Sequence, residues 1–153
     1  MERTFTNNVP SQQGKNVTVA GWVDARRDHG KIIFLDIRDK DGTVQVVFTS
    51  QAKEAYEKVQ EVRSEWVVQI EGMVQERPEN MKNPQSKTGS VEIVAQSLFV
   101  FSEAKTLPFA IDTPGYEIGE EKRLAWRYLD LRRSRLKNNF LMRHKIIQYI
   151  REF

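Results

Sequence analysis

The sequence has 153 residues and contains no cysteine and only two histidines, His29 and His144. The absence of cysteine excludes disulfides, thiol catalysis and cysteine-ligated zinc, and it suits a reducing compartment. The two histidines lie in different predicted domains, so neither a histidine metal site nor a histidine-based triad can be assembled from them. No glycine-rich phosphate-binding loop is present. We therefore predict no catalytic, cofactor-binding or metal-binding residues in this chain.

Long apolar runs are also missing. No segment approaches the roughly 18 consecutive apolar residues that span a bilayer, and residues 1–8 lack the apolar stretch of a signal peptide. We therefore expect a cytoplasmic protein with no membrane partner. The composition, with 39% hydrophobic and 29% charged residues, is typical of one or two globular domains.

Charge is unevenly distributed along the chain. The formal net charge is +3, and the first hundred residues are nearly balanced. Lys and Arg dominate residues 123–151, where Asp130 is the single acidic residue. A basic segment of this kind either attracts phosphate groups or forms a solvated helix face, and charge alone leaves both interpretations open.

The first hundred residues are patterned mainly as strands. Two-residue alternation or β-rich composition predicts strands over residues 16–23, 31–38, 43–48, 65–75 and 90–101. An Asp-Gly turn at 41–42 joins the second and third strands. Apolar residues that recur every three or four positions predict a helix over 51–63. This order is that of the five-stranded Greek-key barrel called the OB-fold, although other small barrels share it. Gly21 and Gly72, inside strands, indicate bulges or tight bends.

The last third of the chain has a different character. Prolines and glycines over residues 102–122 predict a linker or hinge, and residues 123–135 and 135–153 are patterned as helices. We therefore predict domains at 1–101 and 123–153. The second helix carries two apolar stripes and its pattern is unfinished at Phe153, so we expect a fragment of a longer protein.

A basic cluster, Arg26-Arg27-Asp28-His29-Gly30-Lys31, lies between the first two predicted strands and is followed by Phe34. Cations that hold a backbone, beside an aromatic ring on which a base can stack, are typical of single-stranded nucleic-acid binding. Gln45, on the partner strand, could present a donor and an acceptor to a base edge. Considered alone, Phe34 fits a core position better than a binding position. Asp36, Asp39 and Asp41 are spaced as in a calcium loop, but a turn explains Asp41-Gly42 better.

Five motifs together resemble the N-terminal part of bacterial-type aspartyl-tRNA synthetases, from about Arg3 to Phe153. They are Gly21-Trp22-Val23, Arg26-Arg27-Asp28-His29-Gly30, Phe34-Leu35-Asp36-Ile37-Arg38-Asp39, Gly42-Thr43-Val44-Gln45-Val46 and Arg127-Tyr128-Leu129-Asp130-Leu131-Arg132-Arg133. The resemblance implies an OB-fold that binds the tRNA anticodon, a hinge that touches the tRNA stem, and the first helices of a class II catalytic domain.

The resemblance also assigns roles in anticodon recognition. It implies that Phe34 stacks on the middle base and that Gln45 hydrogen-bonds to it. Arg27 and Glu92, with Arg26 nearby, match the positions that read the first base, and a carboxylate suits the N–H donors of a guanine-type edge. Arg77 and Asn83 correspond to positions near the third base. His29, together with Met81, suggests relaxed discrimination between aspartate and asparagine tRNAs.

For the whole ligase, the resemblance implies aspartate activation with ATP and Mg²⁺, transfer to tRNA, and a homodimer built by the motif 1 helix. Motifs 2 and 3 lie beyond Phe153, and residues 137–153 resemble only the beginning of motif 1, without its proline. This chain is therefore expected to bind tRNA but to be inactive alone. Two other hypotheses are a freestanding OB-fold that binds single-stranded nucleic acid and a structural dimerisation fragment.

Overall fold

The computed structural model describes residues 2–153, which form two compact units that divide between Lys105 and Thr106. The first unit contains five strands, β1 (Asn16–His29), β2 (Ile32–Arg38), β3 (Thr43–Thr49), β4 (Val67–Glu76) and β5 (Val91–Ser102). It also contains one α-helix, α1 (Lys53–Val59), and two short 3-10 helices, Thr6–Gln12 and Glu79–Met81. The prediction of a mainly β domain with five strands is confirmed.

The five strands close into a barrel in the order β1-β2-β3-β5-β4, and β4 pairs with β1 to complete the ring. All neighbouring strands are antiparallel except β3 and β5, which pair in parallel at Val46↔Ile93 and Val47↔Val94. Helix α1 lies between β3 and β4 in the chain, as predicted. It carries the chain from β3 to β4, which pairs with β1 and β5 instead of β3, so the order is not a simple up-and-down one.

Strand β1 is longer than predicted. The alternation suggested an end at Val23, and the basic cluster was expected between strands, but β1 continues to His29. The prediction was wrong because residues 25–29 pair with β2 across a register shift between Val23 and Ala25. That irregularity interrupts the alternation, while the ladder hydrogen bonds continue. The turn to β2 therefore lies at Gly30, whose φ of 65° suits glycine.

The barrel core is built from the inward-facing residues of all five strands. Val19, Leu35, Val46, Ile70 and Ile93 are at most 1% exposed. Their strand neighbours face outward, which is the two-residue period of a sheet with one buried face. Helix α1 is shorter than the predicted 51–63, but its apolar stripe is buried as expected.

Both strand glycines lie where the backbones approach closely. A Cβ atom on Gly21 would collide with the carbonyl oxygen of Arg38, and one on Gly72 would collide with that of Val94. Gly72 also lies at a register shift in the β4–β5 ladder. The glycines therefore permit close strand contacts, and the bulge predicted at Gly72 is present.

The β2–β3 hairpin turn is organised by Asp39, whose side chain is buried. Its carboxylate accepts hydrogen bonds from the backbone N–H groups of Asp41 and Gly42, at 2.8 and 3.2 Å, and from the N–H and hydroxyl of Thr6. Burial by itself raises the pKa of Asp39, but these hydrogen bonds outweigh burial and lower the pKa below its ordinary value. The aspartates around this position form a turn, as predicted.

The second unit contains three helices, α2 (Glu120–Ala125), α3 (Arg127–Asp130) and α4 (Ser134–Glu152). The helix predicted over 123–135 is interrupted at Trp126, whose φ and ψ of −120° and 44° are not helical. The Arg133 side chain is fully buried and donates to Asp130 at 2.8 Å and to the Thr113 carbonyl at 2.7 Å. No helix in residues 2–153 is long and apolar enough to cross a membrane.

Candidate nucleic-acid interface

One outward face of the barrel carries most of the predicted site residues. Arg27 lies opposite Phe34 in the β1–β2 ladder, and Asp36 lies opposite Gln45 in the β2–β3 ladder. Residues 33, 35 and 37 of β2 point into the core, so Phe34 and Asp36 point outward together. The ladders thus place an aromatic ring, a cation and an amide side by side on three adjacent strands.

Five side chains, one from each strand, form a continuous hydrogen-bonded series that we call the polar chain: Asp36, Arg27, Gln45, Glu92 and Gln75. Arg27 donates two hydrogen bonds to the Asp36 carboxylate at 2.7 and 2.9 Å and a third to Gln45 Oε1 at 3.3 Å. Gln45 Nε2 donates to Glu92 Oε2 at 3.0 Å, and Gln75 Nε2 donates to Glu92 Oε1 at 2.8 Å. The polar chain therefore runs across the whole face.

The two charged groups on either side of Gln45 in the polar chain, Arg27 and Glu92, differ in electrostatics. Arg27 is exposed and held by Asp36 in a bidentate pair, which fixes the plane of its guanidinium group. Glu92 is only 7% exposed, and its hydrogen bonds come from the neutral amides of Gln45 and Gln75. A buried carboxylate held by neutral donors keeps a negative field that favours further N–H donors.

Gln45 has a fixed amide orientation within the polar chain. Its oxygen accepts from Arg27 and its nitrogen donates to Glu92, so the two ends of the amide are distinguished by their partners. An amide can make two acceptor and two donor hydrogen bonds in total. The group can therefore offer a base one further acceptor position and one further donor position in a defined direction.

Phe34 lies next to the polar chain and is half-buried. Its ring and the ring of His29 meet at a centroid separation of 5.6 Å with an interplanar angle of 81°. This T-shaped arrangement is favourable for two aromatic rings and limits the positions that the Phe34 ring can take. The structure thus brings together Arg27, His29 and Phe34 from the predicted cluster.

Arg26 occupies a different position from Arg27. It lies opposite the buried Leu35, so strand alternation directs it away from the face that carries Phe34. It is half-buried and forms an ion pair with Asp28 at 2.8 Å. Arg26 is therefore separated from the polar chain by the pleat of β1.

Arg77 and Asn83 lie in the loop between β4 and β5, Arg77 at its start and Asn83 near its middle. Arg77 Nε donates to the Val91 carbonyl at 2.9 Å, which ties the end of β4 to the start of β5. Asn83 accepts a hydrogen bond from the Gln85 N–H, and its own backbone N–H donates to the Gly89 carbonyl. The structure uses both residues to shape the loop, and it does not place them in the polar chain.

Sequence reasoning did not identify Asp36 or Gln75 as members of the site. Asp36 could have been found, because it lies two residues after Phe34 in the same strand and alternation places both on one face. Gln75 gave no such signal, since its position beside Glu92 depends on the register of two strands that are separated by the 77–90 loop. Within residues 2–153, no group of three His, Asp or Glu side chains could hold a metal ion.

A protein-family model described as an OB-fold nucleic acid binding domain matches residues 17–101. The curated relatives include the aspartate–tRNA(Asp/Asn) ligase of Halothermothrix orenii, which is 46% identical over 156 aligned residues and covers 100% of this chain. The corresponding ligase of Aquifex aeolicus is 45% identical and covers 92% of it. These alignments cover 26% and 23% of the relatives, so the chain spans about a quarter of their length.

Solved structures show the same architecture. The asparaginyl-tRNA synthetase of Pyrococcus horikoshii, complexed with asparaginyl-adenylate, superposes with a TM-score of 0.79 at 28% identity, over 99% of this chain and 34% of that one. The aspartyl-tRNA synthetase of Entamoeba histolytica superposes with a TM-score of 0.82 at 24% identity, over 100% of this chain and 37% of that one, a likeness of fold.

Proposed function

Because this chain belongs to the family of OB-fold nucleic acid binding domains and matches the N-terminal part of aspartate–tRNA ligases, we propose that the polar chain and Phe34 read a tRNA anticodon. The observation that carries the proposal is the convergence of five polar side chains, one from each strand, beside an aromatic ring on one barrel face. A surface built only for solubility would not need a hydrogen-bonded series that fixes each group's orientation.

Phe34 supplies the sequence-tolerant part of this recognition. An unpaired base stacks on an aromatic side chain because every base has a π-face, and each such stack contributes about 1 to 3 kcal/mol to binding. His29 braces the Phe34 ring, so the ring loses less freedom when a base arrives. Phe34 therefore holds the middle anticodon base, and Gln45, next to it on the same face, donates to and accepts from that base.

Glu92 and Arg27 supply the sequence-specific part. A guanine-type edge carries adjacent N–H donors, which a carboxylate accepts, whereas a base with an acceptor at that place would be repelled by Glu92 and would leave the remaining acceptor positions of the carboxylate unfilled. Arg27 contributes donors in a fixed plane beside it. These two residues read the first anticodon base, while Arg77 and Asn83 shape the loop that approaches the third, and Arg26 contributes positive charge nearby.

The whole ligase to which this region corresponds activates aspartate with ATP and Mg²⁺ and transfers it to the tRNA. The present chain contributes recognition, because its OB-fold region carries the polar chain and Phe34 on one face. The helices of residues 120–152 form the start of the catalytic domain, and the exposed apolar residues of α4 join two copies in a homodimer. The named relatives act on aspartate and asparagine tRNAs, and we extend this dual acceptance to the present chain.

The proposal is tested by measuring the binding of the 153-residue chain to anticodon stem-loops at fixed, near-physiological salt. One stem-loop carries the aspartate anticodon, and three others each change one anticodon base. We expect the matched stem-loop to bind at least tenfold more tightly than the first-base and middle-base variants, about 1.4 kcal/mol. The variant that carries the asparagine-type third base is expected to bind nearly as well as the match, because both tRNAs are accepted.

Equal binding of all four stem-loops would refute the proposal. If the affinity for all four stem-loops changes with salt concentration and not with the anticodon base, the chain is a general binder of single-stranded nucleic acid. Phosphate contacts produce the salt dependence and carry no sequence information. Absence of RNA binding would leave the dimerisation hypothesis.

A further inference from the structure

Gln75 is the one member of the polar chain that joins it from β4. It lies directly opposite Glu92 in the β4–β5 ladder, and its Nε2 donates to Glu92 Oε1 at 2.8 Å. The Gln75 residue as a whole is exposed, whereas Glu92 is buried. A long, exposed polar side chain loses conformational entropy when it is held against a neighbour. The contact between Gln75 and Glu92 therefore indicates a role in ordering the Glu92 carboxylate.

The two amides that contact Glu92 act on different oxygens. Gln45 donates to Oε2 and Gln75 to Oε1, so each carboxylate oxygen receives one N–H from within the described residues. The terminal torsion of a glutamate is soft, with broad preferences, and a single hydrogen bond would leave the carboxylate free to rotate. Two donors on opposite oxygens fix the carboxylate plane.

This arrangement leaves Glu92 able to read a base. Each carboxylate oxygen can accept two hydrogen bonds, so a second acceptor position remains on each after the two amide contacts. Two adjacent N–H donors of a guanine-type edge need both positions presented in one plane. Because Gln75 is neutral, it orients the carboxylate without cancelling its charge, as a lysine at this position would.

We propose that Gln75 is a positioning residue that sets discrimination at the anticodon base read by Glu92, without contacting the RNA. The inference rests on the proposed function of the polar chain. It adds a specificity-determining residue on β4, and it identifies the ligand edge as one with two adjacent N–H donors.

The test compares Gln75→Leu with Gln69→Leu. Gln69 lies on the same strand, with its side chain on the same outward side, but it is paired with Phe99 towards the other end of the β4–β5 ladder. For each variant, the dissociation constant is measured for the matched stem-loop and for one with adenine in place of guanine at the first anticodon position. The ratio of the two constants reports discrimination, and thermal melting reports folding.

We expect Gln75→Leu to lower the discrimination ratio about five- to tenfold, as for the loss of one ordinary protein hydrogen bond, and Gln69→Leu to leave it unchanged. Both variants should melt near the wild-type temperature because neither removes a core side chain. In a Glu92→Gln background, adding Gln75→Leu should not change the ratio further, since Gln75 acts through the Glu92 carboxylate.

The outcomes separate this inference from the proposed function. If the wild-type chain does not discriminate at the first base, the proposed function itself fails. If the wild type discriminates and Gln75→Leu does so equally well, the positioning role is overturned and the anticodon function stands. A Gln75→Leu effect that persists in the Glu92→Gln background also overturns the inference, because it shows that Gln75 contacts the RNA directly.

Discussion

Replacing Phe34 with alanine gives the most direct prediction about RNA binding. The substitution removes the ring that we propose stacks on the middle anticodon base, and a lost base–aromatic stack costs about 1 to 3 kcal/mol. At 1.4 kcal/mol for each tenfold change, this corresponds to roughly fivefold to a hundredfold weaker binding. The ring is half-buried, so we also expect folding stability to fall by about 2 kcal/mol, around half of the cost for a fully buried phenylalanine.

The assay is fluorescence anisotropy with the matched stem-loop across a series of salt concentrations. Phe34 carries no charge, so its loss should shift affinity by the same factor at every salt concentration and leave the salt slope unchanged. Phe99→Ala is the matched control, since Phe99 is 58% exposed on β5 and pairs with the ring of Phe101 at 5.1 Å, outside the polar chain. Phe34→Trp should retain most of the affinity, because it keeps an aromatic face.

Two results would refute this reasoning. Unchanged affinity of a folded Phe34→Ala variant would show that the ring is only a packing element of the barrel face. An equal loss in Phe99→Ala would show that exposed aromatic rings contribute without regard to position. Thermal melting of each variant before the binding measurement separates a lost stack from a lost fold.

Three further predictions concern the polar chain, the hairpin turn and the second unit. Arg27→Lys keeps the charge but loses the bidentate geometry, so base discrimination measured with the stem-loop set should fall by about 1 kcal/mol with little change in salt slope. Asp39→Asn should lower the free energy of unfolding in urea by about 1 to 3 kcal/mol at pH 7, because it leaves buried donors poorly paired. The lowered pKa of Asp39 stabilises the fold above its ordinary value of 3.8, so this difference should shrink as pH falls below 3.8 through the folded-state pKa. Gly115→Ala should lower the free energy of local unfolding of the second unit by more than about 1 kcal/mol, because Gly115 has a φ of 83° and a Cβ there would lie 2.6 Å from Arg133 Nε. Hydrogen exchange of residues 109–133 measures this change.

Each of these predictions has a result that contradicts it. Base discrimination by Arg27→Lys equal to that of the wild type would show that only positive charge matters at that position. A stability difference for Asp39→Asn that is constant between pH 7 and pH 3 would rule out the carboxylate as its source. Unchanged exchange in Gly115→Ala would show that the Arg133 side chain moves aside without cost.

Much of the fold could be predicted from the sequence because the relevant signals are local. The alternation of Val17, Val19 and Val23 indicates a strand with one buried face, and the Asp-Gly pair specifies a hairpin turn within a few residues. The same alternation places Phe34 and Asp36 together on the outward side of β2. The motifs around these residues also carried the family resemblance, which the family match over residues 17–101 confirmed.

Tertiary structure decided the features that depend on pairing between distant strands. Strand β1 extends to His29 because β2 supplies hydrogen-bonding partners for residues that interrupt the alternation. The segment predicted as a loop is therefore part of the β1–β2 ladder. The joining of Gln75 to Glu92 depends on the β4–β5 register, and the joining of Gln45 to Glu92 depends on the parallel β3–β5 contact. A shift of one residue in either register would turn the side chain to the other face. The sequence by itself therefore determined the strands and the types of chemical group on them, whereas barrel closure determined which groups meet, because hydrogen bonds of about 3 Å require registers that no local pattern encodes.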